Sequence, residues 1–266
     1  MVKFTPALVL LASFMLPISA QADTEVTSTT TTEIDNPYLL TEQNKRLVNT
    51  YLRMFRYYTK RNFSVTRTVR VLMSNYPEHV EAIMIAALER YPENYPYIIK
   101  AAIDAEPAFT RDIMAVAMHL EVAPATELVK IAVEAEPAYA DQIVVDASQS
   151  HPNDVEAIVR VAVSIEPEMA PSIMQSAGSS QPDKVEGIVH ATLSVLPSMG
   201  DYLMSSLNDL IDLMRGNKTN EMSDDQQETL SVLRGAHRAG MSYADLQRVA
   251  QNHGISDAQL TAALNQ

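Results

Sequence analysis

The chain has 266 residues, with 20 Lys and Arg against 33 Asp and Glu, a net charge of −13 and no cysteine. Acidity of that size argues against nucleic acid as a partner and against a general attraction to anionic lipid. Without cysteine there is neither a disulfide framework nor a thiol nucleophile, so stability must come from packing alone.

Residues 1–22, MVKFTPALVLLASFMLPISAQA, place Lys3 ahead of an apolar run from Ala7 to Ile18 and the small-x-small sequence Ala20-Gln21-Ala22. This is the layout of a secretory signal peptide, with cleavage expected after Ala22. The run is too short to span a bilayer comfortably, and no cysteine follows it to carry a lipoprotein anchor. The mature chain is therefore expected to be periplasmic or secreted, with no membrane span.

Residues 23–38, DTEVTSTTTTEIDNPY, are threonine-rich and acidic without periodicity and predict a disordered leader. In residues 39–61, Leu47, Tyr51, Met54, Phe55 and Tyr58 recur at helical spacing after Thr41, which suits an N-cap. The other faces carry Lys45, Arg46, Arg53, Arg56, Lys60 and Arg61 against Glu42 alone. One reading is a capping helix whose aromatic face covers the first repeat. The other is a docking helix, through Arg46, Arg53, Arg56 and Lys60, for an anionic partner or membrane surface; insertion would need that aromatic face exposed.

From residue 62 to 216 the chain repeats. Prolines stand at 77, 92, 107, 137, 152, 167, 182 and 197, on a period of fifteen, and Val122 with Pro124 fills the missing place. Counted from each, the seventh position is Ile or Leu (Ile83 through Leu203), the eighth is Met, Ile or Val, and the eleventh is Ala from Ala87 to Ala177. Apolar positions 4, 7, 8 and 11 trace one face of a helix of about three turns. Proline is tolerated in a first helical turn but not in continuation of the helix before it, so each unit predicts one short helix. Pro96 and Pro171, at position 5, predict later starts for their helices.

Position 9 alternates. It is Ile85, Ala115, Val145, Gln175 and Ser205 in one set, and Arg70, Lys100, Lys130, Arg160 and His190 in the other. The unit is therefore a thirty-residue αα-hairpin, five of them between about Asn62 and Ile211. The fold class is all-α: an α-solenoid with two non-equivalent helix layers, HEAT-like in style, because no such helix can bury its stripe alone. Residues 217–222 read as a polar linker, and 223–266 as a C-terminal helical module of three short helices. Gly240 and Gly254 end helices there, Ser242 caps the next, and Ser256 with Gln259 has capping-box spacing.

Catalytic signatures are missing from the sequence. No two of the six histidines stand at i, i+3 or i+4, the stretch MSDDQQE lacks the glycine and terminal glutamate of a calcium loop, and no glycine-rich phosphate loop or nucleophile elbow occurs. No catalytic residue, metal or cofactor is expected. The acidic sequences DAEP, EAEP and SIEP before Pro107, Pro137 and Pro167 read as solvated turns. The position-9 cations form a candidate ligand-binding ladder for an anionic envelope polymer or lipid headgroup. They could equally be spent on i, i+4 pairs (Lys100 to Asp104, Lys130 to Glu134, Glu156 to Arg160, Glu186 to His190), worth about 0.2–0.5 kcal/mol each. The leading expectation is a non-catalytic scaffold or adaptor binding another protein in the cell envelope; the ladder ligand comes second and a hydrolase third.

Overall fold

The computed structural model describes residues 41–196, 200–216 and 222–265. The signal peptide read at 1–22, the leader at 23–38 and the linker up to 221 lie outside the described residues. Among those described are fourteen α-helices and no strand: α1 Glu42–Lys60, α2 Val65–Asn75, α3 Val80–Arg90, α4 Tyr95–Ala105, α5 Thr110–His119, α6 Ala125–Ala135, α7 Ala140–Ser150, α8 Val155–Ile165, α9 Ala170–Ser180, α10 Val185–Val195, α11 Gly200–Gly216, α12 Met222–Arg238, α13 Tyr243–Asn252 and α14 Asp257–Leu264. None is long and apolar enough to cross a membrane.

The repeat fixes each boundary by one local device. The residue before the proline is pushed out of helical geometry by the ring. Glu106, Glu136 and Tyr91 sit at φ −142°, −142° and −136°, while their N–H groups still bond to the carbonyls of Ala102, Ala132 and Ala87. Pro77, Pro92, Pro107, Pro137, Pro167 and Pro182 each open a single 3-10 turn, and the α-helix begins at position 4. Pro96 and Pro171 lie in the first turn of helices that start where the others do, because a first turn tolerates proline; the later starts expected for them do not occur. Between α5 and α6 the proline is displaced to Pro124, and Glu121 at φ 48° turns the chain instead. The helices on either side stay in register.

The helices pack in adjacent pairs and stack in two layers. Odd-numbered helices lie on odd, from α1 on α3 through α9 on α11, and even on even, from α2 on α4 through α10 on α12. α1 thus takes against α3 the place that α3 takes against α5, and α12 continues the second layer. The core is the expected columns: Ile83, Ile98, Ile113, Leu128, Ile158 and Ile173 are fully buried, as is every alanine from Ala87 to Ala177 in the eleventh position. A methyl side chain there is what lets neighbouring helices approach closely.

At the C-terminal end, α13 and α14 pack on α11 and α12. Gly240 and Gly254 adopt φ 92° and 72°, Ser242 caps α13, and Ser256 with Gln259 forms a reciprocal capping box on α14. Two ionic clusters fasten this end. Glu186 of α10 accepts from Arg234 (2.9 Å) and Arg238 (3.1 Å) of α12. Buried His253, after α13, meets Asn208 Oδ1 through Nε2 at 2.9 Å, while Arg215 donates to its carbonyl at 2.8 Å.

Candidate functional site

The ladder residues Arg70, Lys100, Lys130, Arg160 and His190 lie one per helix on α2, α4, α6, α8 and α10, successive members of the second layer. The first four are exposed and His190 is half-buried. Long cations beside buried positions 8 and 11 can lay their stems on apolar surface and leave the charge in water.

The row is nevertheless not a uniform cationic stripe. Asp104 Oδ1 takes Lys100 Nζ at 3.1 Å within α4, and its Oδ2 takes Arg70 Nη2 at 3.1 Å from the neighbouring α2. One carboxylate therefore offsets two ladder members. Lys130 and Arg160 make no ion pair with the expected Glu134 and Glu156. Glu156 points instead toward the next helix of its layer, 3.9 Å from His190 Nδ1, which is too long for a hydrogen bond. Glu186, expected beside His190, is held by Arg234 and Arg238. Burial pushes its carboxyl upward, but hydrogen bonds and charge from the two guanidiniums outweigh this and hold it below the ordinary value.

The basic helix presents its two faces separately. Val48, Tyr51 and Phe55 of α1 are buried against the stack; Tyr51 Oη meets His79 Nδ1 at 2.7 Å and the Phe55 ring lies edge-on to Tyr91. Arg46, Arg53, Arg56 and Lys60 are exposed. The aromatic face is thus taken by packing, so it is not free for insertion into a bilayer.

The outer surface of the first layer, which sequence reasoning left without a role, differs in kind. Its position-9 row is short and uncharged: Ile85 is buried, and Ala115, Val145 and Gln175 are half-buried. Between α5 and α7 of the same layer lies a groove of about 250 Å³ lined by Pro107, Met114, Tyr139 and Ile143, with Arg111 and Asp146 across it at 3.6 Å. Burial raises the Asp146 carboxyl above its usual range, and Arg111 only partly opposes this. A second groove, of about 290 Å³, lies where α1, α3 and α5 meet and is lined by Leu47, Ile85, Phe109, His79 and Asp112. Further along, Ser172 and Ser176 of α9 donate to Asp141 Oδ2 of α7. The signal for this face was present in the small, neutral residues at position 9 of the first helices, read only as a layer marker.

The α5–α7 groove brings one carboxyl, Asp146, and one guanidinium, Arg111, together. Among the described residues no group of three His, Asp or Glu side chains is placed to hold a metal ion. No family model, curated protein or solved structure matches this chain.

Proposed function

We propose that this chain is a non-catalytic, exported α-solenoid in the two-helix, HEAT-like style, a scaffold or adaptor whose first-layer face binds a protein partner in the cell envelope. The observation that carries this reading is the asymmetry of position 9. On the second layer it holds long, wet cations partly offset by Asp104; on the first it holds uncharged side chains, of which Ile85 lines the groove where α1, α3 and α5 meet. Protein interfaces are built around such charge-poor centres with a polar rim. Consecutive grooves on one layer also give the extended surface on which stacked repeats bind chains. Export rests on the Lys3, Ala7–Ile18 and Ala20–Ala22 pattern, with Asp23 as the mature N-terminus.

The anionic-ligand reading of the ladder stands second, supported by Lys130 and Arg160, whose charges are exposed and outside any ion pair among the described residues. Affinity capture from envelope extracts separates the two. Ala115→Arg with Val145→Arg should abolish capture of the partner, whereas Lys130→Gln with Arg160→Gln should leave it intact. The opposite pattern would transfer the function to the ladder.

A further inference from the structure

We propose that the free face of α1 is a peripheral docking surface for an anionic phospholipid bilayer, separate from the protein-binding face of the first layer. Arg46, Arg53 and Lys60 follow one another at seven-residue spacing, and Arg56 falls between the last two. Such spacing keeps them on one side of the helix. At 1.5 Å per residue the stripe runs about 21 Å. It lies opposite Val48, Tyr51 and Phe55, which are buried, so the fold turns the cations outward. None of the four has an ion pair among the described residues; the only acid between residues 41 and 76, Glu42, is taken by Lys45 at 2.9 Å.

The position of α1 in the stack makes this charge usable. α1 opens the first layer and packs on α3 and α2, so no helix of that layer precedes it among those described. The acids nearest α1, Glu78 and Glu81, line with Asn44 and Leu47 the groove on its packed side, so the thickness of the helix, about 10 Å, stands between them and the stripe. At physiological salt that exceeds the Debye length of about 8 Å, so their negative charge is largely screened from a surface touching the stripe. A linear row of long cations suits a plane of phosphates, which all of them reach without matched carboxylate positions. Tyr57, 52% exposed beside the row with the Arg61 guanidinium 4.5 Å over its ring, adds the kind of amphipathic side chain that settles at headgroup level. With the aromatic face of α1 packed inward, attachment is electrostatic and reversible.

The test is sedimentation of the full chain with phosphatidylglycerol vesicles and with phosphatidylcholine vesicles across a salt series. Excess binding to phosphatidylglycerol, falling steeply with salt, is expected. Lys3 and the terminal amine ahead of the apolar stretch Ala7–Ile18 are common to the parent and every variant, so the difference between parent and variant reads the stripe alone. The fourfold variant Arg46→Gln, Arg53→Gln, Arg56→Gln, Lys60→Gln should lose that excess, at roughly fivefold in affinity per cation. Its helical circular dichroism should be unchanged, since all four side chains are exposed. Lys130→Gln with Arg160→Gln, on the second layer, should keep the excess; its loss in that variant would place the lipid on the ladder and overturn the proposal. Equal binding of the parent to both vesicle types would overturn the proposal, as would a fourfold variant that keeps the salt-sensitive excess. Binding to polyglutamate that exceeds binding to the vesicles would assign the stripe to an acidic protein and overturn the lipid assignment.

Discussion

α12 crosses α10 so closely at Gly235 that a Cβ there would collide with the carbonyl oxygen of Glu186 and crowd the Val189 side chain. Backbone cannot swing away as a flexible side-chain end can. Helix propensity favours alanine over glycine by about 1 kcal/mol, so a glycine retained in mid-helix marks a contact that outweighs it. Gly235→Ala should destabilise the fold by about 1–3 kcal/mol, the usual cost of overpacking, and chemical denaturation would measure it.

The alanine column makes the same argument along the whole stack. Ala132 and Ala162 are fully buried between stacked helices. Ala132→Leu or Ala162→Leu should each cost about 1–3 kcal/mol. An unchanged melting temperature in either would mean that the eleventh position does not lie on the packed face.

The C-terminal end should loosen on acidification in two separate windows. Burial lowers the pKa of His253 below its ordinary 6.5, Asp212 opposing and Arg215 adding to the effect. The folded chain therefore prefers the neutral ring. Stability from this group is complete above pH 6.5 and is lost as pH falls below it. Glu186 is likewise lowered from 4.5, so its contribution is complete above that value and is lost as pH falls through the folded pKa. Melting temperatures from pH 8 to 3 should show His253→Gln flattening the upper window alone and Glu186→Gln the lower one alone.

Asp104 sits between Arg70 and Lys100 on the wet side of the second layer. Both cations are more than half exposed, so the pairs are worth little. Asp104→Asn should change stability by less than about 1 kcal/mol while making the ladder more basic, which a salt-dependent anion-binding assay would register.

The architecture was legible because the Ile/Leu column holds register for nine units, with prolines in eight of them and alanines in seven, and one register specifies one buried face. The ends of the stack were harder to read. α1 has no proline marker and runs from Glu42 to Lys60, so its place in the first layer follows from its packing on α3 and not from the columns. The ladder was legible as a row, but its partners were not. The i, i+4 rule finds Lys100 with Asp104, yet Arg70 reaches Asp104 across 34 residues because stacking sets successive hairpins side by side. For the same reason Glu156 faces His190 and not Arg160. The groove at Met114, Tyr139 and Asp146 depends on how far two helices part, a distance that no single-helix pattern encodes.

The central claim is that a protein partner lies on the first layer and not on the second. Photo-reactive amino acids placed at Val145 and at Lys130, and irradiated in the living cell, test it most directly. The account predicts a discrete covalent adduct with one other protein from position 145 and none from position 130. Adducts confined to position 130, or absent from both positions, would contradict it.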